Sequence, residues 1–243
     1  MASHVFGMNP SKSQVVTALE ETKKIYDPLP ETTCDHRALC CKAGCPNMYY
    51  AEYLSIRNEF IDKMTKDQKL DLIIECVKRY LQPQEVQNPK PCVFLGEKNM
   101  CGVYSARPLK CRLYGLIPKS VYESNVANVA KDMNIQKEKI PLCMQCDRVK
   151  IKEEYRDRFP DGVIPSQMLK DMETALRKND VELGMPVDLQ VNGFAFLTFH
   201  DWHIMFDVGE SWMANLTQLR LKLKEEEKEH FVNSLKEALK KSL

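Results

Sequence analysis

Read for the spacing of its apolar and polar positions, the 243-residue chain is a run of helices interrupted by one long irregular stretch. Val15, Val16, Leu19 and Ile25 roughly follow a helical stripe, with Ser11 or Ser13 as cap and Pro28 and Pro30 forming a stiff link after it. Tyr49 to Leu81 reads as two helices. In the second, Leu70, Ile73, Ile74, Val77, Tyr80 and Leu81 make a wide apolar face, Asp67 is placed to cap it and Pro83 to end it. Val121 to Lys139 reads as a helix, and Ser166 as the cap of another reaching about Asn179. From Glu210 to Ser242, Leu216, Leu219, Leu223, Phe231, Leu235 and Leu239 predict one or two terminal helices. Phe194 to Phe199 fits a buried strand or the start of a helix equally well. Asn88 to Gly115 has no helical period and reads as loops, with a small hairpin around Cys101-Gly102-Val103-Tyr104. Arg148 to Arg158 is nearly all charged or polar, as in a solvated helix or connector. The expected fold is mainly α, an irregular helical domain with a loop-rich cysteine region organised around a metal centre and little or no sheet.

Composition narrows the class. With 44% hydrophobic and 28% charged residues the chain builds an ordinary core and is neither disordered nor a membrane protein. No apolar run approaches the ~18–20 residues of a spanning helix. A formal charge of +1 supplies no overall pull toward nucleic acid or anionic lipid. The opening MASHVFGMNPSKSQ has no basic stretch leading into an apolar one, so the expected compartment is reducing and cytoplasmic.

Cysteine is the informative residue. All ten lie between Cys34 and Cys146. Cys34, Cys40, Cys41 and Cys45 open the region, Cys92, Cys101 and Cys111 follow, and Cys143 and Cys146 form a pair with the two-residue gap of a metal knuckle. These nine are the expected metal ligands, whereas Cys76 falls on the apolar face of a helix and is expected in the core. Soft thiolates select zinc, copper(I) or iron–sulfur clusters. A zinc finger would show two regular knuckles, and here only one pair has that gap. Neighbouring Cys40 and Cys41 are awkward on one tetrahedral ion and more naturally serve two centres. The expected cofactor is therefore an iron–sulfur cluster, a [4Fe–4S] cube foremost, or zinc. Three parts follow: residues 1–33 as helix and linker, 34–147 as the cysteine-cluster domain, and 148–243 as helices packing on it.

The block CVFLGEKNMCGVYSARPLKCRLYG resembles the signature of the YkgJ-like cysteine-cluster family, of CxxCxxCC type, described as zinc- or iron-chelating. The positions carrying the resemblance are Cys92, Phe94, Leu95, Cys101, Tyr104, Arg107, Pro108, Cys111, Arg112 and Tyr114. Upstream the chain departs from the family's usual grouping of two close single cysteines before a Cys-Cys pair, because five residues separate Cys34 from Cys40 and Cys45 trails. Pro108 biases Arg107 toward an extended conformation, and Arg107 and Arg112 are placed to offset thiolate charge or to fork onto a carboxylate. Some relatives of the family resemble protein lysine N-methylases, which implies a second reading as an enzyme using S-adenosylmethionine. No Gly-rich loop for that cofactor is visible. A third reading is a zinc-stapled module that binds a protein through its C-terminal helices. The leading reading is a metal-binding protein, redox-active with a redox partner if iron–sulfur. His36 is a ligand candidate, while His200 and His203, three apart in apolar surroundings, read as core histidines.

Overall fold

The first helix begins where its cap predicts. In the computed structural model, which describes residues 10–34, 38–82, 90–132, 136, 146, 148–185 and 197–242, helix α1 (Lys12–Tyr26) starts at Ser11. The Ser11 hydroxyl accepts the Gln14 N–H at 3.2 Å while the Gln14 amide oxygen accepts the Ser11 N–H at 2.8 Å, a reciprocal box. Short helix α2 (Leu39–Lys42) carries the adjacent cysteines. Helices α3 (Tyr50–Glu59) and α4 (Lys66–Leu81) follow, separated by a 3-10 turn at Ile61–Lys63. The cap of α4 is Thr65, not Asp67, because Thr65 and Gln68 make the same reciprocal pair. Asp67 sits in the first turn, where its charge suits the helix dipole.

Beyond the loops come α5 (Leu109–Arg112), α6 (Lys119–Asp132), α7 (Ser166–Glu182), α8 (Phe199–Asp207), α9 (Glu210–Lys222) and α10 (Glu225–Ser242). Ser166 is the first helical residue of α7, and Pro165 before it occupies the cap position. The ambiguous apolar run turns helical at Phe199, and residues 194–196 lie outside the described residues. The loop hairpin is centred earlier than expected. Leu95 bridges Cys101 and the Gly102 N–H donates to the Phe94 carbonyl at 2.8 Å, so the reversal falls at Glu97–Asn99. The polar run after Arg148 is no helix at its start. Strand β1 (Thr32–Thr33) pairs antiparallel with β2 (Lys150–Ile151), Thr32 opposite Ile151. Two-residue strands carry no period, so only the partner reveals them.

Helix α4 packs its apolar face against α8, α9 and α10, while α1 packs against α3 and α7. Helix α3 joins the two groups through stacked rings. Tyr50 lies 5.3 Å from Trp202 and 4.8 Å from Phe206 between ring centres. Cys76 is fully buried on α4, as its helical spacing predicts. A smaller core of Leu109, Leu113, Phe159, Ile164 and Leu176 lies under α5 and α7. Among the described residues no helix is long and apolar enough to cross a membrane.

Helix α3 has no capping side chain at its N-terminus, and α7 supplies one. Buried Asp180 accepts the Tyr50 N–H at 2.9 Å and the Ala51 N–H at 2.8 Å. Burial pushes its carboxyl up to about 7, with the two N–H donors opposing. Removing the carboxyl leaves two helix N–H groups buried without partners. Asp180→Ala is expected to lower the unfolding free energy in urea by about 1–3 kcal/mol, with Asp180→Asn recovering part of it. The raised pKa sets a second outcome. Unfolded, the carboxyl titrates near 3.9, so the native state holds an extra proton above that value. Its contribution is fully present below about pH 4 and is lost as pH rises through about 7. Denaturation curves across this range should show the slope in the native chain and lack it in Asp180→Asn.

Candidate metal centre

Three loops bring their sulfurs to one place because backbone bonds hold the loops together. The Cys92 N–H donates to the Cys41 carbonyl at 2.7 Å, joining the second loop to α2. Asn47 bridges Thr198 and the Trp202 indole N–H donates to the Met48 carbonyl at 3.0 Å, which fixes the Cys45 loop on α8. Phe94 packs edge-on against Phe199 at 4.5 Å. Cys40, Cys41, Cys45, Cys92, Cys101 and Cys111 thereby line one cavity of about 20 Å³, otherwise walled by apolar groups such as Met48, Ile56 and Val103 and by Arg107. The Cys45 and Cys92 sulfurs stand 3.7 Å apart, and those of Cys40 and Cys41 3.9 Å.

Each close pair favours a thiolate beside a thiol. Hydrogen bonding to Cys41, with the Arg107 charge adding to it and burial opposing, lowers Cys40 to about 6 and Cys101 to about 7. Hydrogen bonding to Cys101 and Cys40 pushes Cys41 up. Cys45 is likewise pushed up by Cys92, whose own thiol is lowered. The thiolate is the metal-binding form.

A second cavity, of about 40 Å³, lies beside the first and is lined by Cys34, Cys40, Cys111 and Cys146 with Arg107 and Arg112. The small sheet builds it, since β1 ends one residue before Cys34 and β2 begins four residues after Cys146. Gly115 completes it at a positive φ of 83°, where an added Cβ would meet the Cys146 Cβ at 3.1 Å. The chain can pass this closely only at a glycine.

The residues that hold these loops were only partly visible in the sequence. Buried Glu52 accepts the Tyr49 N–H at 2.8 Å and the Leu109 N–H at 2.5 Å, and also the Tyr26 hydroxyl. It therefore caps α5, the turn that presents Cys111. Burial raises its carboxyl while the three donors oppose. Its signal in the sequence is a lone carboxylate in the apolar run Tyr49-Tyr50-Ala51-Glu52-Tyr53-Leu54. Arg112 donates to the Arg107 and Ser105 carbonyls at 2.7 and 2.6 Å, with its guanidinium 4.4 Å from the Tyr26 ring centre. It forks onto backbone carbonyls where a carboxylate was the alternative. Arg107 stacks at 3.6 Å over Tyr104 and faces both cavities.

Eight of the nine expected ligands thus line the two cavities, and Cys143, like His36, lies outside the described residues. All described cysteines are free thiols. His200 and His203 are buried in the core, His203 bound to Asp207 at 2.7 Å, and neither lines a cysteine cavity. Among the described residues no group of three or more His, Cys, Asp or Glu side chains stands ready to hold an ion. The sulfurs wait as close pairs around the space.

Residues 33–139 match the model of the CxxCxxCC family, whose description reads "Putative zinc- or iron-chelating domain". This segment is similar to that domain. It covers a little under half of the 243 residues and contains seven of the eight cavity cysteines, with Cys146 beyond its end. No curated protein and no solved structure matches the chain. Within the matched segment the Arg-Pro and Cys-Arg steps have physical roles, Pro108 leading into α5 and Arg112 tying down the preceding loop. Arg112→Lys keeps the charge but loses the fork, so it should lower metal retention during gel filtration while leaving the far-ultraviolet circular dichroism unchanged.

Proposed function

We propose that the chain is a metal-binding protein in which Cys41, Cys45, Cys92 and Cys101 hold one tetrahedral ion, zinc before iron. The observation that carries this is the Cys45–Cys92 separation of 3.7 Å. Four thiolates each about 2.3 Å from one ion stand about 3.8 Å from one another. A cavity of about 20 Å³ has room for a single water-sized body. In a [4Fe–4S] cube each thiolate takes its own iron and the sulfurs lie further apart, so that expected cofactor fits this space less well. Zinc is favoured over ferrous iron at a given donor set by the Irving–Williams order. A closed four-thiolate site is redox-inert and structural when it holds zinc. Its work here is to join the Cys41, Cys45 and Cys92–Cys101 loops, adding to the Cys92 N–H to Cys41 carbonyl bond that already ties two of them. The thiols remain available in a reducing compartment, which makes the cytoplasm the fitting location.

Elemental analysis of the purified protein tests the reading. Zinc without labile sulfide is expected. Cys45→Ser and Cys92→Ser should lose the ion and lower the melting temperature, while Cys76→Ala, outside both cavities, should keep it. Iron with labile sulfide, or a zinc count undiminished in both serine variants, would overturn the assignment.

A further inference from the structure

The second cavity differs from the first in one physical respect, access. Cys34, Cys40, Cys111 and Cys146 are all partly exposed, whereas of the inner four only Cys101 is, and Cys41, Cys45 and Cys92 are at most 8% exposed. The two sets divide the eight cavity cysteines four and four. Cys41, Cys45, Cys92 and Cys101 line only the inner cavity, Cys34 and Cys146 only the outer, and Cys40 and Cys111 form the wall between them. Four thiolates around a divalent ion carry a net charge of about −2, and Arg107 and Arg112 on the outer wall balance it. The outer volume, about 40 Å³, admits one ion with room to spare.

The geometry points to a second, exchangeable site for a soft divalent cation on Cys34, Cys40, Cys111 and Cys146, beside the inner one. This rests on the reading of the inner four as a metal centre. An incoming thiol or chelator can reach Cys34, Cys40 and Cys146 and displace them one at a time, whereas Cys41, Cys45 and Cys92 are screened behind Met48, Ile56 and Val103. The two arms of the outer site are held by devices that the inner site does not use. The Thr33 hydroxyl donates to the Lys150 carbonyl at 3.3 Å and the Lys152 N–H to the Glu31 carbonyl at 3.0 Å, which keeps the Cys34 and Cys146 arms side by side. Gly115 lets Cys146 approach α5. Adjacent Cys40 and Cys41 then serve one ion each, so the outer ion can leave while the inner one keeps the loops joined. Such a site suits the hand-over of an ion to or from another thiol ligand.

The test uses the full chain loaded with zinc. Elemental analysis and native mass spectrometry count the ions, and 4-(2-pyridylazo)resorcinol reports their release. Two zinc ions per chain are expected, released in two resolved phases. The double variant Cys34→Ser/Cys146→Ser should lose the fast phase and half of the bound zinc, and keep the slow ion. Gly115→Val, which removes no sulfur but crowds Cys146, should weaken the fast site alone, and the retained slow ion reports an intact fold. One zinc per chain with both variants unaffected overturns the second site and leaves the inner centre standing. Release of both ions in a single phase, or loss of both ions in the double variant, also overturns it. A zinc count undiminished in Cys45→Ser and Cys92→Ser instead refutes the inner assignment, which separates the two failures.

Discussion

The buried carboxylate of Glu52 is the constraint on which the rest of the arrangement depends. A carboxylate out of water is costly unless its oxygens are hydrogen-bonded. Here three donors from three parts of the chain converge on it, namely the Tyr26 hydroxyl from α1, the Tyr49 N–H at the start of α3, and the Leu109 N–H at the start of α5. The N-terminal helix, the central helix and the turn bearing Cys111 are thus registered against one point. Displacing any of them would leave a charge or an N–H unsatisfied inside the protein, a penalty larger than the net gain of an ordinary hydrogen bond.

Asp180 repeats the device at lower complexity, capping α3 from α7. With Asn179 donating to the Ala18 carbonyl and to Thr22, a single turn of α7 fixes both α1 and α3. Polar groups inside the helical layers therefore set geometry, while the stacked rings of Tyr50, Tyr53, Trp202 and Phe206 supply the buried area. The cysteine loops are laid over this frame through Phe94 on Phe199 and Met48 beneath Trp202.

What could be read from residue order follows from range. Helix α4 was legible because its apolar stripe is local, although its cap was read two residues late, at Asp67 where Thr65 holds the position. The gathering of sulfurs was legible because clustering among glycines and prolines is unexplained by core packing, whatever the fold. Cys76 was set apart correctly for the same reason, as it sits on a helical stripe. The strands at Thr32–Thr33 and Lys150–Ile151 were not legible, since two residues show no alternation and the partner lies 119 positions away (Thr32 to Ile151). Nor were the partners of Glu52 and Asp180, which are chosen by tertiary contact. The division of the cysteines between two cavities was foreshadowed only by the adjacency of Cys40 and Cys41.

The close pass of Gly115 under Cys146 has a bearing on how the molecule is cut and compared. Similarity to the family stops at residue 139, yet one sulfur of the outer cavity and the strand that steers it lie past that border. A fragment trimmed to the recognisable segment would carry the shielded thiols intact and arrive with its solvent-facing set one member short. Boundaries drawn by resemblance and boundaries drawn by coordination need not coincide, and in this protein they part company at a glycine.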